Sequence, residues 1–218
     1  MKTKTKTSSR IAGWTRTVFI KQRNDGFWPT LVELARFLTP MRYDIYELDL
    51  VSFRETLREC SANFSSGDTA LQELQSVRPK TRLPAEFYKD LTGKPCGCVL
   101  ASFDGNVMGV AWLYDHTAPG PFLELSPGDV VVRSLYVLER SRGRGIARAM
   151  ILQACLWCRR AGFRNMYAVV RQNNLPSEAT FKNVGFKRVG RLLRSTVFGP
   201  RCISPTREHV EVPSETVW

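Results

Sequence analysis

Apolar positions along this chain change period several times, and each change marks an element. Asp44–Leu50 alternates apolar and polar residues like a first strand. Residues 51–62, with Val51, Phe53 and Leu57, and residues 68–77 have helical spacing, and Asp68 caps the second of these helices. A Lys- and Pro-containing connection, 78–96, surrounds a short helix at 85–91. Cys98–Phe103 and Val107–Tyr114 read as two strands of one hairpin, because Asp104-Gly105 between them suits a turn that needs positive φ. Pro119, Gly120, Pro121, Pro127 and Gly128 make 115–128 a loop. Val130–Val137 is a central strand, 146–161 the main amphipathic helix, 165–170 another strand, and 176–184 a helix opened by Pro176. Val189–Phe198 closes the pattern as a strand or hairpin arm.

The ends differ from this body. Met1–Arg10 alternates Lys and Thr and reads as a solvated arm. Residues 11–42 hold Trp14, Phe19, Phe27 and Trp28, then a helix from Thr30 to Leu38 whose apolar positions are Leu31, Leu34, Ala35 and Leu38. That helix either packs on the domain or rests as a cationic amphipathic segment on a membrane surface. The expected organisation is a basic extension over 1–42, an α/β domain over 43–199 and a polar tail over 200–218. Strand, two helices, hairpin, strand, helix, strand, helix, strand predicts a sheet of mixed direction.

The most informative local feature lies where the central strand meets the main helix. Val131–Val137 is followed by Arg140-Ser141-Arg142-Gly143-Arg144-Gly145-Ile146-Ala147. A glycine-rich loop opening a helix presents free backbone N–H groups at the positive end of the helix dipole, which suits a pyrophosphate. Glycines let the backbone approach the ligand, and three arginines within five residues add charged donors. A dinucleotide fold wants a third glycine three residues on and an acid about twenty residues further; those positions hold Arg148 and Asn165. No Gly-Lys-Ser/Thr follows either, so a P-loop is excluded.

Charge sharpens this picture. The net charge of +12 is uneven: residues 133–201 carry +13 and residues 1–43 carry +7, whereas 44–132 carry −6. The basic half coincides with the phosphate turn. It is either a generally cationic surface or one that steers an anionic ligand, membrane or RNA. No RNA-recognition motif or helix-turn-helix is present. Six cysteines (Cys60, Cys96, Cys98, Cys155, Cys158 and Cys202) include two close pairs, but Cys155 and Cys158 fall on the apolar face of the main helix and Cys98 begins a strand. They read as buried thiols in a reducing compartment and not as metal ligands, so no metal is expected. Neither a signal peptide nor a membrane span is expected, because the apolar runs are short or broken by Lys21, Glu33 and Arg36.

Arg140-x-x-Gly143-x-Gly145 resembles the acyl-CoA pyrophosphate loop of the GNAT superfamily of N-acetyltransferases. Downstream, Asn174-x-x-Ser177-x-x-x-Phe181-x-x-x-Gly185-Phe186 is similar to the second half of such a domain. The likeness covers 97–194 well and 44–96 loosely. It implies a GNAT-like, mostly antiparallel sheet of about six to seven strands flanked by helices, with the fourth and fifth strands splayed. It also implies acetyl-CoA or another acyl-CoA as co-substrate, lying along Leu135, Tyr136, Val137, Arg140, Ser141, Arg142, Gly143, Arg144, Gly145, Ile146, Ala147, Asn174, Ser177 and Phe181. The oxyanion donor of the family is a backbone N–H of the fourth strand, here around Tyr136–Val137.

The catalytic side chains follow less directly. Family members commonly carry a tyrosine where this chain has Phe181, so Tyr136 and Tyr167 become the candidate acids. Ser134 occupies a position where related enzymes carry an acid. Glu124, ahead of Asp129 and His116, is the candidate base for a water-relayed proton transfer. The implied reaction is N-acylation of a small primary amine, an amino sugar or amino acid, in the cytoplasm. The extension over 1–42 is similar to those of GNAT proteins of bacterial surface-polysaccharide clusters, which suggests an amino-sugar acceptor and a place at the inner membrane face. Two alternatives stay open: a carrier-protein thioester or aminoacyl-tRNA as donor, and a non-catalytic CoA-binding protein. Homodimerisation is a further possibility.

Overall fold

The computed structural model describes residues 41–54, 62–118, 120, 122–195, 199–202 and 210–211. The expected arm at 1–10, the helix at 30–38 and residues 55–61 of the expected helix at 51–62 lie outside them.

Strand β1 (Met41–Asp49) ends in a turn, where the expected helix was to begin. Asp49 Oδ1 accepts the N–H groups of Val51 at 2.9 Å and Ser52 at 3.4 Å. This side-chain turn competes with helical backbone pairing. Strand β2 (Asn63–Ser66) was not expected, since four residues with Phe64 as the one large apolar side chain carry no readable alternation. Helix α1 (Gly67–Val77) follows with Ser66 at its N-cap position. Asp68, the expected cap, therefore sits in the first turn, facing the positive end of the helix. A 3₁₀ turn (Ala85–Tyr88) and the one-turn helix α2 (Lys89–Thr92) occupy the expected 85–91 helix.

The hairpin forms as read: β3 (Gly97–Phe103) and β4 (Asn106–Asp115) pair antiparallel around Asp104-Gly105, both at positive φ. Strand β6 (Asp129–Val137), helix α3 (Ile146–Arg160), strand β7 (Asn165–Arg171), helix α4 (Leu175–Val184) and strand β8 (Lys187–Ser195) then follow in the expected order. Strand β9 (Gly199–Cys202) extends the sheet beyond β8. Within the expected loop 115–128 lies a two-residue strand, β5 (Glu124–Leu125), which pairs with β10 (Val210–Glu211) from the expected tail. Elements this short have no period to detect.

The main sheet has eight strands in the order β2-β3-β4-β6-β7-β1-β8-β9. The pairs β1–β7, β1–β8, β2–β3, β3–β4 and β4–β6 run antiparallel, and β6 runs parallel to β7. Both faces are covered, so β4 is buried from Val107 to Tyr114. One face packs Val132, Leu113 and Ala168 against Met150, Ile151 and Cys155 of α3 and Phe181 of α4. The other packs Trp112, Leu100, Ile45 and Tyr167 against Ala70 and Leu74 of α1 and Phe87 of the 3₁₀ turn. Cys98, Cys155 and Cys158 are all buried free thiols in these layers. Burial, the largest cause, pushes the Cys98 thiol up to about 12.

Candidate active site

The site is built on the way β6 leaves β7. The two run parallel only from Asp129↔Asn165 to Val132↔Ala168. Beyond that point β6 stays paired with β4, while β7 stays paired with β1 through Arg171. A bulge marks the parting. Trp112 pairs with Ser134 and Leu113 with Val132, so Arg133 is the extra residue. A bulge sharpens local twist and turns a strand aside, which is a physical reason for the split at this residue.

Backbone groups in the opened half of β6 are thereby freed. Leu138 N–H bonds to Met108 O at 2.8 Å, toward β4. By the alternation of an antiparallel pair, the N–H groups of Leu135 and Val137 point the other way, into the gap. The Val137 carbonyl on that side accepts from Arg142 Nε at 3.1 Å. Arg142 also pairs with Glu139 at 3.6 Å, so the chain after β6 folds back on the strand end.

The turn into α3 completes one wall. Gly143 and Gly145 hold φ of 77° and 74°, and a Cβ built on either meets no heavy atom within 4 Å. Gly145 is the N-cap, with no side-chain cap, and the first intrahelical bond from this turn is Ala149 N–H to Gly145 O at 3.1 Å. The amides of Ile146, Ala147 and Arg148 are left without helical acceptors. This is an open cradle of backbone donors at the positive end of a helix, an arrangement that suits an anion.

The cradle opens onto a groove of about 630 Å³. Leu135, Tyr136 and Val137 form its strand wall, and Ser141, Arg142, Gly143, Gly145, Ile146, Ala147 and Arg148 its turn wall. Asn174, Pro176, Ser177, Ala179, Thr180 and Asn183 of α4 and its cap close the far side. Asn174 Oδ1 accepts Ser177 N–H at 3.4 Å, which caps α4. The positions at 176, 179, 180 and 183 were not singled out from the sequence. Their helical spacing, on the face opposite Phe181 and Val184, was the available signal.

A model of the acetyltransferase (GNAT) family matches residues 50–186, from the end of β1 to just past α4. The chain belongs to that family. No curated protein matches it. Among solved structures it is similar to a GCN5-related N-acetyltransferase from Sphaerobacter thermophilus, with TM-score 0.48 and 16% identity over 82% of this chain and 57% of that one. It is also similar to the aminoglycoside N-acetyltransferase AAC(6')-Iy in complex with CoA (TM-score 0.44, 21% identity, 62% of this chain and 93% of that one). A third is a GCN5-related N-acetyltransferase from Kribbella flavida (TM-score 0.45, 14% identity, 77% and 62%). The chain therefore spans less than two thirds of the Sphaerobacter and Kribbella proteins.

Within this GNAT domain the other expected site residues fall in distinct places. Arg140 and Arg144 face a second cleft of about 410 Å³, together with Phe103, Asn106, Val107, Met108 and Ser141. Phe181 is 4% exposed, edge-on to Phe186 at 5.1 Å, and packs into the core without lining the groove. Ser134 and Tyr136 share one face of opened β6, where the Tyr136 ring meets Phe87 at 6.0 Å. Tyr167 lies in the closed half of the split and donates to Glu47 Oε1 at 3.1 Å. Asp129 is 1% exposed at that closed end, where its Oδ1 accepts from Asn165 at 2.9 Å and its Oδ2 has no hydrogen-bond partner among the described residues. Glu124 is exposed on β5, and His116 is exposed in the preceding turn.

The segment after β4 crosses the opposite face of the split. Arg133 donates from Nη2 to Ala118 O at 2.7 Å and stacks its guanidinium 4.3 Å from the Tyr114 ring centroid. Burial lowers the pKa of Arg133 and raises that of Tyr114. Further along, Phe122 packs on Tyr43 of β1 at 4.8 Å and under Arg194 of β8 at 5.2 Å. Phe122, Leu123, Val131, Val132, Arg133 and Val169 enclose a cavity of about 20 Å³, room for about one water.

Proposed function

We propose that this domain moves an acetyl or other short acyl group from acyl-CoA onto a primary amine of a small molecule, an amino sugar or an amino acid. The observation that carries the reading is the coincidence of three features at one end of the sheet. The β6–β7 split, the inward-pointing amides of Leu135 and Val137, and the open glycine turn all border one groove. The turn amides and Arg142 hold the diphosphate, and the pantetheine arm runs along β6 in place of the missing strand pairing. A thioester carbonyl in the gap then has strand N–H donors aimed at the oxygen that gains charge as the amine attacks.

In that reaction the C–N bond forms, the C–S bond breaks, the amine loses a proton and the departing sulfur gains one. Tyr136 is the proposed proton donor to the sulfur, because it borders the groove beside the two strand amides. Glu124 is the proposed base, acting through water, with Ser134 on the Tyr136 face of β6 as a polar relay. Side-chain catalysis of this kind contributes about 10²–10⁴-fold, less than strand-amide stabilisation and positioning together. The assay is thiol release from acetyl-CoA across a panel of amino sugars and amino acids, paired with thermal unfolding with and without CoA. Amine-dependent release and a raised midpoint are expected. A folded protein whose midpoint ignores both CoA and acetyl-CoA would overturn the reading.

A further inference from the structure

The split has two faces, and the groove takes up one of them. With the donor on the side of α3 and α4, the amine reaches the gap from the opposite face, the side of α1 and the 3₁₀ turn. Alternation along β6 puts Tyr136 on that side, where its ring meets Phe87. Arg171 of β7 stands on the same side, because it pairs with Tyr43, whose ring packs against the same layer. Discounting the bulge residue Arg133, Tyr136 and Arg171 are equally far past the last parallel pair, Val132↔Ala168. They therefore stand opposite each other across the opened gap.

Charge on this side has one sign toward the open end. Arg194 of β8 lies 5.2 Å over the Phe122 ring, which also packs on Tyr43 at 4.8 Å. Phe122 in turn borders the small cavity at the split, with Val169 and Arg133. Arg171, Tyr43, Phe122 and Arg194 are thus one patch that reaches the gap. Arg171 is exposed, and among the described residues neither it nor Arg194 has an ion pair. Strands β7 and β8 contain no acidic residue. The carboxylates that β1 and β6 turn to this side, Glu47, Asp49 and Asp129, lie at the closed end, where Glu47 accepts from Tyr167 and Asp129 from Asn165. Resting on the acyl-CoA reading above, we infer that the acceptor is a small amine bearing an acidic group, a carboxylate or a phosphate, which Arg171 and Arg194 hold while its nitrogen enters the gap. Guanidinium forks suit either group, and the Tyr43 and Phe122 rings support the carbon skeleton between acid and amine. Glu124, two residues past Phe122, is the acidic group left for the amine end.

Thiol release from acetyl-CoA on matched pairs of amines tests this: each L-amino acid against its amide, and amino-sugar phosphates against the free amino sugars. The two kinds of pair separate a carboxylate from a phosphate. A charge-assisted contact is worth about tenfold in affinity, so in at least one pair the acidic member should exceed its neutral partner in kcat/KM by about tenfold or more, through KM. The double variant Arg171→Gln with Arg194→Gln should bring that ratio close to one, and Arg171→Glu should invert it. Isothermal titration of CoA should give the wild-type Kd in both variants, which also shows that they are folded. Equal kcat/KM within every pair overturns the inference alone, as does a preference that survives in the double variant. CoA binding without release from any acidic member overturns it too. A folded wild-type protein that binds neither CoA nor acetyl-CoA overturns the acyl-CoA reading with it.

Discussion

Helix α3 carries its own controlled experiment, because it has a glycine of positive φ at each end. Gly145 caps the N-terminus at 74°, and Gly162 follows the C-terminus at 86°. A Cβ built on either meets nothing within 4 Å. Alanine at either position therefore costs only the left-handed backbone strain, about 1–2 kcal/mol, or roughly 2–8 °C in midpoint for a chain of this size. The two differ in one respect: Gly145 borders the groove and Gly162 does not. The methyl of Gly145→Ala stands in the space where the donor diphosphate meets the turn amides. We expect at least a tenfold rise in Kd for CoA, about 1.4 kcal/mol, with no change for Gly162→Ala. Thermal unfolding gives a second readout. CoA at a hundredfold excess over the wild-type Kd stabilises wild type by about 2.7 kcal/mol, and the same concentration should stabilise Gly145→Ala by about half as much. Unchanged Kd in Gly145→Ala, or equal losses in both variants, would refute the cradle.

Other consequences follow from the same geometry. Arg133→Met removes a charged donor from Ala118 O and should cost about 2 kcal/mol of stability; because it unpins the segment over the split, the KM for the amine should rise severalfold while the KM for acetyl-CoA holds, as steady-state kinetics would show. Phe181→Tyr places a hydroxyl beside Phe186 in the core, so we expect a loss of about 1–3 kcal/mol in denaturant unfolding and no gain in kcat; a gain would show that this ring reaches the reacting sulfur. Burial, aided by Glu178, raises the Tyr46 phenol from 10 to about 12. The unfolded chain then loses this proton first, so stability is intact below pH 10 and declines as pH rises toward 12. Tyr46→Phe should flatten that decline by about one proton in unfolding titrations at stepped pH.

Local signals announced most of the machinery. The Asp104-Gly105 hairpin, the apolar run into Arg140–Gly145 and the Asn174–Gly185 helix all sit where period and turn chemistry put them, because each depends on neighbours within a few residues. What went unread depends on distant partners. Strand β2 exists because Phe64 and its neighbours meet β3, and β5 exists because Val210 and Glu211 reach Leu125 and Glu124. The Asp49 turn that replaces the start of a helix is a single side chain outcompeting a periodic pattern.

By itself, the amino-acid sequence determined the order of elements from the β3–β4 hairpin through β8, apart from the two-residue β5, and the glycine turn, since backbone preference and periodic burial are local properties. Only the tertiary structure decided where β6 and β7 part, because the bulge at Arg133 is defined by its mismatch with β4. It also divided the turn arginines between two clefts and turned Phe181 into the core, because the direction of a side chain depends on what packs against its element from elsewhere in the chain.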